Sequence, residues 1–187
     1  SDVYKRQVGK LVGQALGIPV YGREILEIAA REGGTTPEYI EHLEETDTNS
    51  LLYSLVAMAK TVQGQLPQIS KTDQLNLLEA RIIQRLAQEG PCVIVGRCSD
   101  YVLGERPTCL KVFVHADMKF RADRIVRVYG EREKSPEARL KEKDKRRAAY
   151  YRFYTDMKWG DAANYHVALD SGVIGIEKCA KVIESLA

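Results

Sequence analysis

The densest cluster of chemically capable side chains lies in Glu131 to Arg152. There EREKSPEARLKEKDKRRAAYYR carries Arg139, Lys141, Lys143, Lys145, Arg146, Arg147 and Arg152 behind a Ser135-Pro136 helix start. Arginine makes charge-assisted, often bidentate bonds to phosphate, each worth about 1.5–3 kcal/mol. A mobile arginine-rich helical hairpin could therefore close over phosphates and neutralise transferring charge. A solvated helix with i,i+4 pairs such as Glu142 to Arg146 accounts for the same residues equally well. The second cluster is Val93-Ile94-Val95-Gly96-Arg97, a short apolar strand with Gly-Arg at its carboxyl end. Ligands of open α/β sheets bind at such ends, where Arg97 would point into the crevice, although an ordinary surface turn reads the same way. Asp100, in Cys98-Ser99-Asp100-Tyr101, is either an acceptor for a base or sugar or a helix N-cap.

These side chains need elements to hold them. Val8 to Leu16 suits a helix stopped by Gly17, and Ile18 to Tyr21 a short strand; Arg23 to Arg31 is helical up to Gly33-Gly34. Thr36-Pro37 gives an N-cap and a first-position proline for a helix through about Glu45, Leu51 to Lys60 is a further helix candidate, and Gln63 to Lys71 reads as a loop. From Thr72 to Glu89, the spacing of Leu75, Leu78, Ile82, Ile83 and Leu86 by threes and fours predicts a helix against a core. Cys92 to Val95 reads as a strand buried on both faces of a parallel sheet, Leu110 to Val114 as a second, and Val167 to Leu169 as a third. Asp117 caps a helix running to Tyr129, and Ile176 to Leu186 closes the chain as an amphipathic helix. Helices alternating with short apolar strands give an α/β class with right-handed crossovers.

Composition narrows the function. The chain has 187 residues, with 28 Lys and Arg against 26 Asp and Glu, a net charge of +2 that speaks against a nucleic-acid coat. No stretch approaches the ~18 apolar residues of a membrane span, so no membrane partner is expected. Cysteines at 92, 98, 109 and 179 form no C-x-x-C pair, and His42, His115 and His166 form no metal-binding pattern. Reduced thiols in a cytoplasmic protein, without a protein-ligated metal, are the expectation. Residues 1–7, SDVYKRQ, contain no apolar core of a signal peptide. They match one reading frame of a transposon-type sequencing adapter, so a non-native tail and a gene cut at residue 7 are expected.

GPCVIVGRCSDYVL at 90–103, CLKVFVHA with its arginine-bearing helix, and KDKRRAAYYRFYTDMKWGDAANYHVALDS at 143–171 together resemble the cytidylate kinase-like family of P-loop nucleoside monophosphate kinases. Val8 to Leu26 resembles the segment that follows the phosphate-binding loop in that family. The resemblance implies a three-layer parallel sheet with a helical lid, in a single kinase-like domain over 8–187. Residues 35–71 would be the monophosphate-binding helical region and 131–160 the lid. It implies ATP and a nucleoside monophosphate, CMP or dCMP, as partners, with Mg²⁺ accompanying ATP. Gly96 and Arg97 would bind the acceptor's phosphate and Asp100 its base or sugar. Arg147 would contact the phosphates, Asp144 would orient it or the acceptor, and Lys145 and Arg139 would add charge. The spacing of three puts Asp144 and Arg147 on one helix face.

Three departures qualify the resemblance. Cytidylate kinase has Asp directly after its Gly-Arg, whereas Cys98 stands here, and Gly22 follows Tyr21 where relatives carry Asp. More consequentially, G-x-x-x-x-G-K-[ST] occurs nowhere in the sequence, and Gly9, Gly13 and Gly17 are better explained by close helix packing and a C-cap. A missing first strand would leave a gap between the strands near Cys92 and Leu110, which residues 2–7 could partly fill by extending. The expectation is a parent kinase of which this chain is an inactive copy. A nucleotide-binding regulatory protein is the alternative. A nucleic-acid module stacking bases on Tyr150, Tyr151, Phe153 and Tyr154 is a third reading, although those tyrosines, and Trp159, also suit ordinary packing.

Overall fold

The computed structural model describes residues 2–40, 71–130 and 134–187. The order is α1 (Asp2–Leu16), β1 (Val20–Tyr21), α2 (Glu24–Glu32), α3 (Lys71–Glu89), β2 (Val93–Ile94), α4 (Ser99–Val102), β3 (Val112–His115), α5 (Met118–Tyr129), α6 (Pro136–Thr155), β4 (Val167–Asp170), α7 (Ser171–Ile174) and α8 (Ile176–Leu186). The molecule is mixed α/β and divides into two compact units, Tyr21–Gly90 and the rest of the chain. Most of the 35–71 region, including the expected 51–60 helix and the loop from 63, lies outside the described residues, as do 131–133 of the lid.

In the larger unit, α1 begins well before Val8. Tyr4, Val8 and Val12 recur every four residues and are all buried, packed with Leu169 and with Ile176, Cys179, Ala180 and Ile183 of α8. Residues 2–7 are therefore not an extended strand but the first turns of the helix, and Tyr4, 1% exposed, is part of the core. The physical reason is periodicity: Tyr4 continues the apolar stripe of Val8 and Val12.

The strands form two separate pairs. β1 and β2 make one sheet, with the Val93 N–H donating to the Pro19 carbonyl at 2.9 Å, and β3 and β4 make the other. β3 and β4 are parallel, with Val112 opposite Val167 and Val114 opposite Leu169. Among the described residues no ladder joins β2 to β3. β2 was expected to be buried on both faces, yet both its residues are only half-buried. A strand paired on one side in a two-stranded sheet lacks the flanking strand that would cover it.

In the smaller unit, α2 and α3 pack through Ile25, Leu26, Ala29 and Ala30 against Ile82, Ile83 and Leu86. Leu75 and Leu78 of the expected stripe are half-buried, while Thr72 and Glu79 are buried. Lys71, read as the end of a loop, instead opens α3. The Thr36 hydroxyl accepts from the Tyr39 N–H at 3.2 Å, capping the helical residues 37–40 as expected.

Helix α1 lies so close to its neighbours that side chains are excluded. A Cβ at Gly13 would stand 2.2 Å from Val20 Cγ2 and 2.9 Å from the Ile18 carbonyl oxygen. In an open helix, alanine is favoured over glycine by about 1 kcal/mol, but overpacking against backbone costs about 1–3 kcal/mol and should prevail. Gly13→Ala is expected to lower the melting temperature by about 3–6 °C, measured by circular dichroism. An unchanged or raised midpoint would contradict this packing.

Candidate functional site

Helix α6 starts where its sequence directs. The Ser135 hydroxyl accepts from the Ala138 N–H at 3.2 Å, and Pro136 takes the first helical position. Steps of three and four then define its inward face: Leu140, Asp144, Arg147, Tyr151 and Thr155. Leu140, Tyr151 and Thr155 are buried, and the side chains of Asp144 and Arg147 are only 21% and 22% exposed. A core-packed helix normally carries aliphatic residues along such a stripe; this one puts an acid and a base at its centre. The opposite face is solvated, with Lys141, Lys143 and Lys145 exposed. Glu142 there pairs with Arg146 and, at 3.1 Å, with Lys134, and these two cations hold its carboxyl below the usual range. The solvated-helix reading of this basic segment thus describes the outward face, while Asp144 and Arg147 lie on the inward one.

Asp144 sits between two guanidinium groups. Arg121 Nη2, from α5, lies 2.7 Å from Oδ1 and 2.6 Å from Oδ2, and Arg147 Nη1 is 3.7 Å from Oδ1. Helix α5 is fixed by its Asp117 cap, which accepts from the Phe120 N–H at 2.8 Å, and by Ala122 and Ile125 packed on Leu140. Three nitrogens in this region, Arg121 Nε, Arg124 Nε and Arg139 Nη1, are shut off from solvent and have no hydrogen-bond partner among the described residues. Helix α1 approaches from the other side. Its Tyr4 hydroxyl is hydrogen-bonded by Arg121, and its Gln7 carbonyl accepts from Arg124 Nη2. Burial raises the Tyr4 hydroxyl above its ordinary pKa, against the lowering pull of Arg121.

The Gly-Arg turn after β2 is strained. Gly96, Arg97 and Cys98 all have positive φ, at 86°, 59° and 52°. For each of the two non-glycine residues this costs about 1–2 kcal/mol, and such outliers cluster where function requires them. Lys5 Nζ stands 3.3 Å from where a Gly96 Cβ would be, so any side chain there would crowd it. The turn leads into α4, whose N-cap is Cys98 rather than Asp100. The Asp100 carboxylate instead accepts from the Tyr151 hydroxyl of α6 at 2.6 Å. Burial first, then the bond to Asp100, raises the Tyr151 hydroxyl far above the usual phenol range. Tyr165, which hydrogen-bonds Tyr151, is raised by burial and by Asp100, and its ring stacks on Phe113 at 4.9 Å. Trp159 meets the same Phe113 edge-on at 5.8 Å, a packing role.

Asp144 and Arg147 are thus brought together, and Tyr151 links their helix to Asp100 and the Gly96-Arg97 turn. Arg139 presents a buried, unsatisfied nitrogen, whereas Lys145 is exposed, one residue off the inward stripe. Sequence reasoning missed Arg121, Arg124 and the tyrosine pair. Tyr151 was within reach, because it falls seven residues after Asp144 and four after Arg147, on the same face. Removing the acid should leave Arg121 and Arg147 repelling each other in a poorly solvated place. Breaking a fully buried pair costs about 3–5 kcal/mol; partial exposure reduces this to about 2 kcal/mol for Asp144→Ala. Urea denaturation should show that loss, with part of it recovered in Asp144→Ala/Arg121→Ala. A single-variant loss under about 0.5 kcal/mol would contradict a structural role for the carboxylate.

Among the described residues no helix is long and apolar enough to cross a membrane. No curated protein matches the chain. A solved structure of an uncharacterized protein from Eubacterium ventriosum is similar, with a TM-score of 0.70 at 23% identity over 97% of this chain and 89% of that one; it speaks to fold alone. The model of the cytidylate kinase-like family matches residues 3–173, which take in the Gly-Arg turn, the arginines of α5 and the whole inward face of α6. With that match spanning nearly all of the sequence and every element of the site, the chain belongs to the cytidylate kinase-like family.

Proposed function

We propose that the protein binds a nucleoside monophosphate, CMP or dCMP foremost, and that its activity is transfer of the γ-phosphoryl group of ATP to that acceptor. Family membership suggests nucleotide kinase activity. The observation that carries the reading is the set of buried guanidinium nitrogens, on Arg121, Arg124 and Arg139, that have no acceptor among the described residues. A buried donor left unmade costs about 1–3 kcal/mol, more when charged, and phosphate oxygens are acceptors of matching geometry and charge.

In the transfer, an oxygen of the acceptor's phosphate bonds to the γ-phosphorus as the bond to the bridging oxygen breaks, giving ADP and a nucleoside diphosphate. Arg147 and Arg121 would neutralise the phosphates, held in place by Asp144, and Arg97 would hold the acceptor's phosphate. Arg139 would add charge, as would Lys145 after turning inward. On this reading the fold is a three-layer parallel sheet of the P-loop kinase type, with α6 as lid. Mg²⁺ arriving with ATP would supply screening of the phosphate charge. Among the described residues no three His, Cys, Asp or Glu side chains gather to hold a metal ion, and Asp144 is committed to two arginines. Among the described residues, then, no donor set gathers that would hold a resident ion.

A second reading is nucleotide binding without transfer. Calorimetric titration with CMP, dCMP, UMP and AMP, beside an assay of phosphate transfer from ATP, separates the two. Both are run on this chain and on a version with a glycine-rich phosphate loop and strand placed ahead of residue 8. CMP binding by both proteins, weakened at least tenfold in Arg147→Ala, and transfer by the extended one are expected. Binding without transfer by either supports the second reading, and no binding of any nucleotide overturns both.

A further inference from the structure

Arg121 and Arg124 stand three apart on α5, on one face, and each has a buried Nε without a hydrogen-bond partner among the described residues. What holds the two differs. Arg121 is gripped by the Asp144 carboxylate at 2.6 Å, whereas Arg124 Nη2 donates to the side-chain carbonyl of Gln7, a neutral amide on α1. The start of α1 is itself fixed. Tyr4, one turn before Gln7, is 1% exposed, is hydrogen-bonded by Arg121 and meets the Phe120 ring at 6.3 Å, and Val8, next to Gln7, is buried in the cluster with Leu169 and α8. Lys5, between them, brings its Nζ beside Gly96, so these first turns reach both α5 and the Gly-Arg turn. A guanidinium is a rigid planar fork, so an acceptor that fixes one of its nitrogens also sets where Nε–H points. A carboxylate at position 7 would do this too, but would compensate the charge; an amide fixes the group and leaves the charge available.

We propose that Gln7 is a positioning residue that aims Arg124 Nε at the phosphate of a bound nucleotide while leaving the full guanidinium charge to that phosphate. This rests on the nucleotide-binding reading above, and adds to it a residue of α1 and a role for Arg124. Gln7 acts through Arg124 and does not itself meet the ligand. An arginine that is free in solvent loses rotamer freedom when it closes on an anion; one already held by a buried acceptor lost that freedom on folding, so the anion binds more tightly. The bond that then forms is charge-assisted, and it satisfies a donor that folding left unmade. The segment 2–7, polar on average, would thus be part of the phosphate site and not an appendage to it.

The test is calorimetric binding of CMP and of cytidine, which lacks the phosphate, to the chain and to two variants. Gln7→Met removes the acceptor and keeps the length; Gln7→Glu keeps an acceptor and adds a charge. CMP affinity should fall about fivefold or more in Gln7→Met and about tenfold or more in Gln7→Glu, while cytidine affinity stays within about twofold in both. Thermal melting followed by circular dichroism should find Gln7→Glu at least as stable as the unaltered chain, because its carboxylate pairs with Arg124. Weaker phosphate binding in a protein of undiminished stability is an outcome no loss of packing produces. Gln7→Glu also stands alone if Gln7→Met does not fold. An unchanged CMP affinity in either folded variant overturns the proposal and leaves the nucleotide reading intact. Equal losses for CMP and cytidine would make Gln7 merely structural, and tighter CMP binding by Gln7→Met would make it a competitor for Arg124; each overturns the proposal equally. Failure of the unaltered chain to bind CMP removes the nucleotide reading and this inference together.

Discussion

A carboxylate shared by two guanidinium groups is the interaction on which the larger unit depends. Helix α6 must lay one face against α5, and the middle of that face is charged. Burying Arg121 and Arg147 alone would be prohibitive, since desolvated like charges both lose water and repel. Asp144 makes the arrangement tolerable by binding both, at 2.6 Å and 3.7 Å. A fold that needed only packing would have used leucine there, as it does at Leu140 one turn earlier. Arg121 Nε beside it is shut off from solvent and has no hydrogen-bond partner among the described residues, a cost to stability that an anion would relieve, and that is the physical basis of the proposed phosphate site.

The second consequence is geometric. The stripe that carries Asp144 and Arg147 continues to Tyr151, whose hydroxyl reaches the turn after β2. Helix α6 and the segment just after the Gly-Arg turn are therefore joined by a partly buried hydrogen bond between residues 51 apart in sequence. Any movement of α6 that admits or releases a ligand must keep that bond or break it, so the turn cannot ignore the helix. Helix α1 adds a third boundary. Tyr4 and Gln7 bond Arg121 and Arg124 of α5, and Gly9 and Gly13 let the helix approach β1 and β2 closely.

Much of this was legible in the sequence where local rules decide. The caps at Asp117 and Ser135-Pro136, the stop at Gly17, the bounds of α8 and the Glu142–Arg146 pair follow from side-chain chemistry within a few residues, and the structure has them. What was not legible depends on partners distant in sequence. Asp100 looked like an N-cap because the motif is local, whereas its donor is Tyr151, 51 residues away. The apolar run Cys92 to Val95 looked doubly buried because hydrophobicity does not tell how many strands will flank it. SDVYKRQ looked like an appendage because it is polar on average; Tyr4 alone, in register with Val8 and Val12, decides its packing. Arg121 and Arg124 stayed hidden because an arginine on an amphipathic helix is ordinary until its neighbour is known to be buried.

The account's central claim is that the inward face of α6 with the turn after β2 forms one nucleotide site. A crystal structure of the protein grown with saturating CMP tests it most directly. The account predicts phosphate oxygens within about 3 Å of guanidinium nitrogens of Arg121 or Arg147, with the Tyr151–Asp100 hydrogen bond intact. CMP bound elsewhere, or bound there with its phosphate in solvent and touching neither arginine, would contradict it.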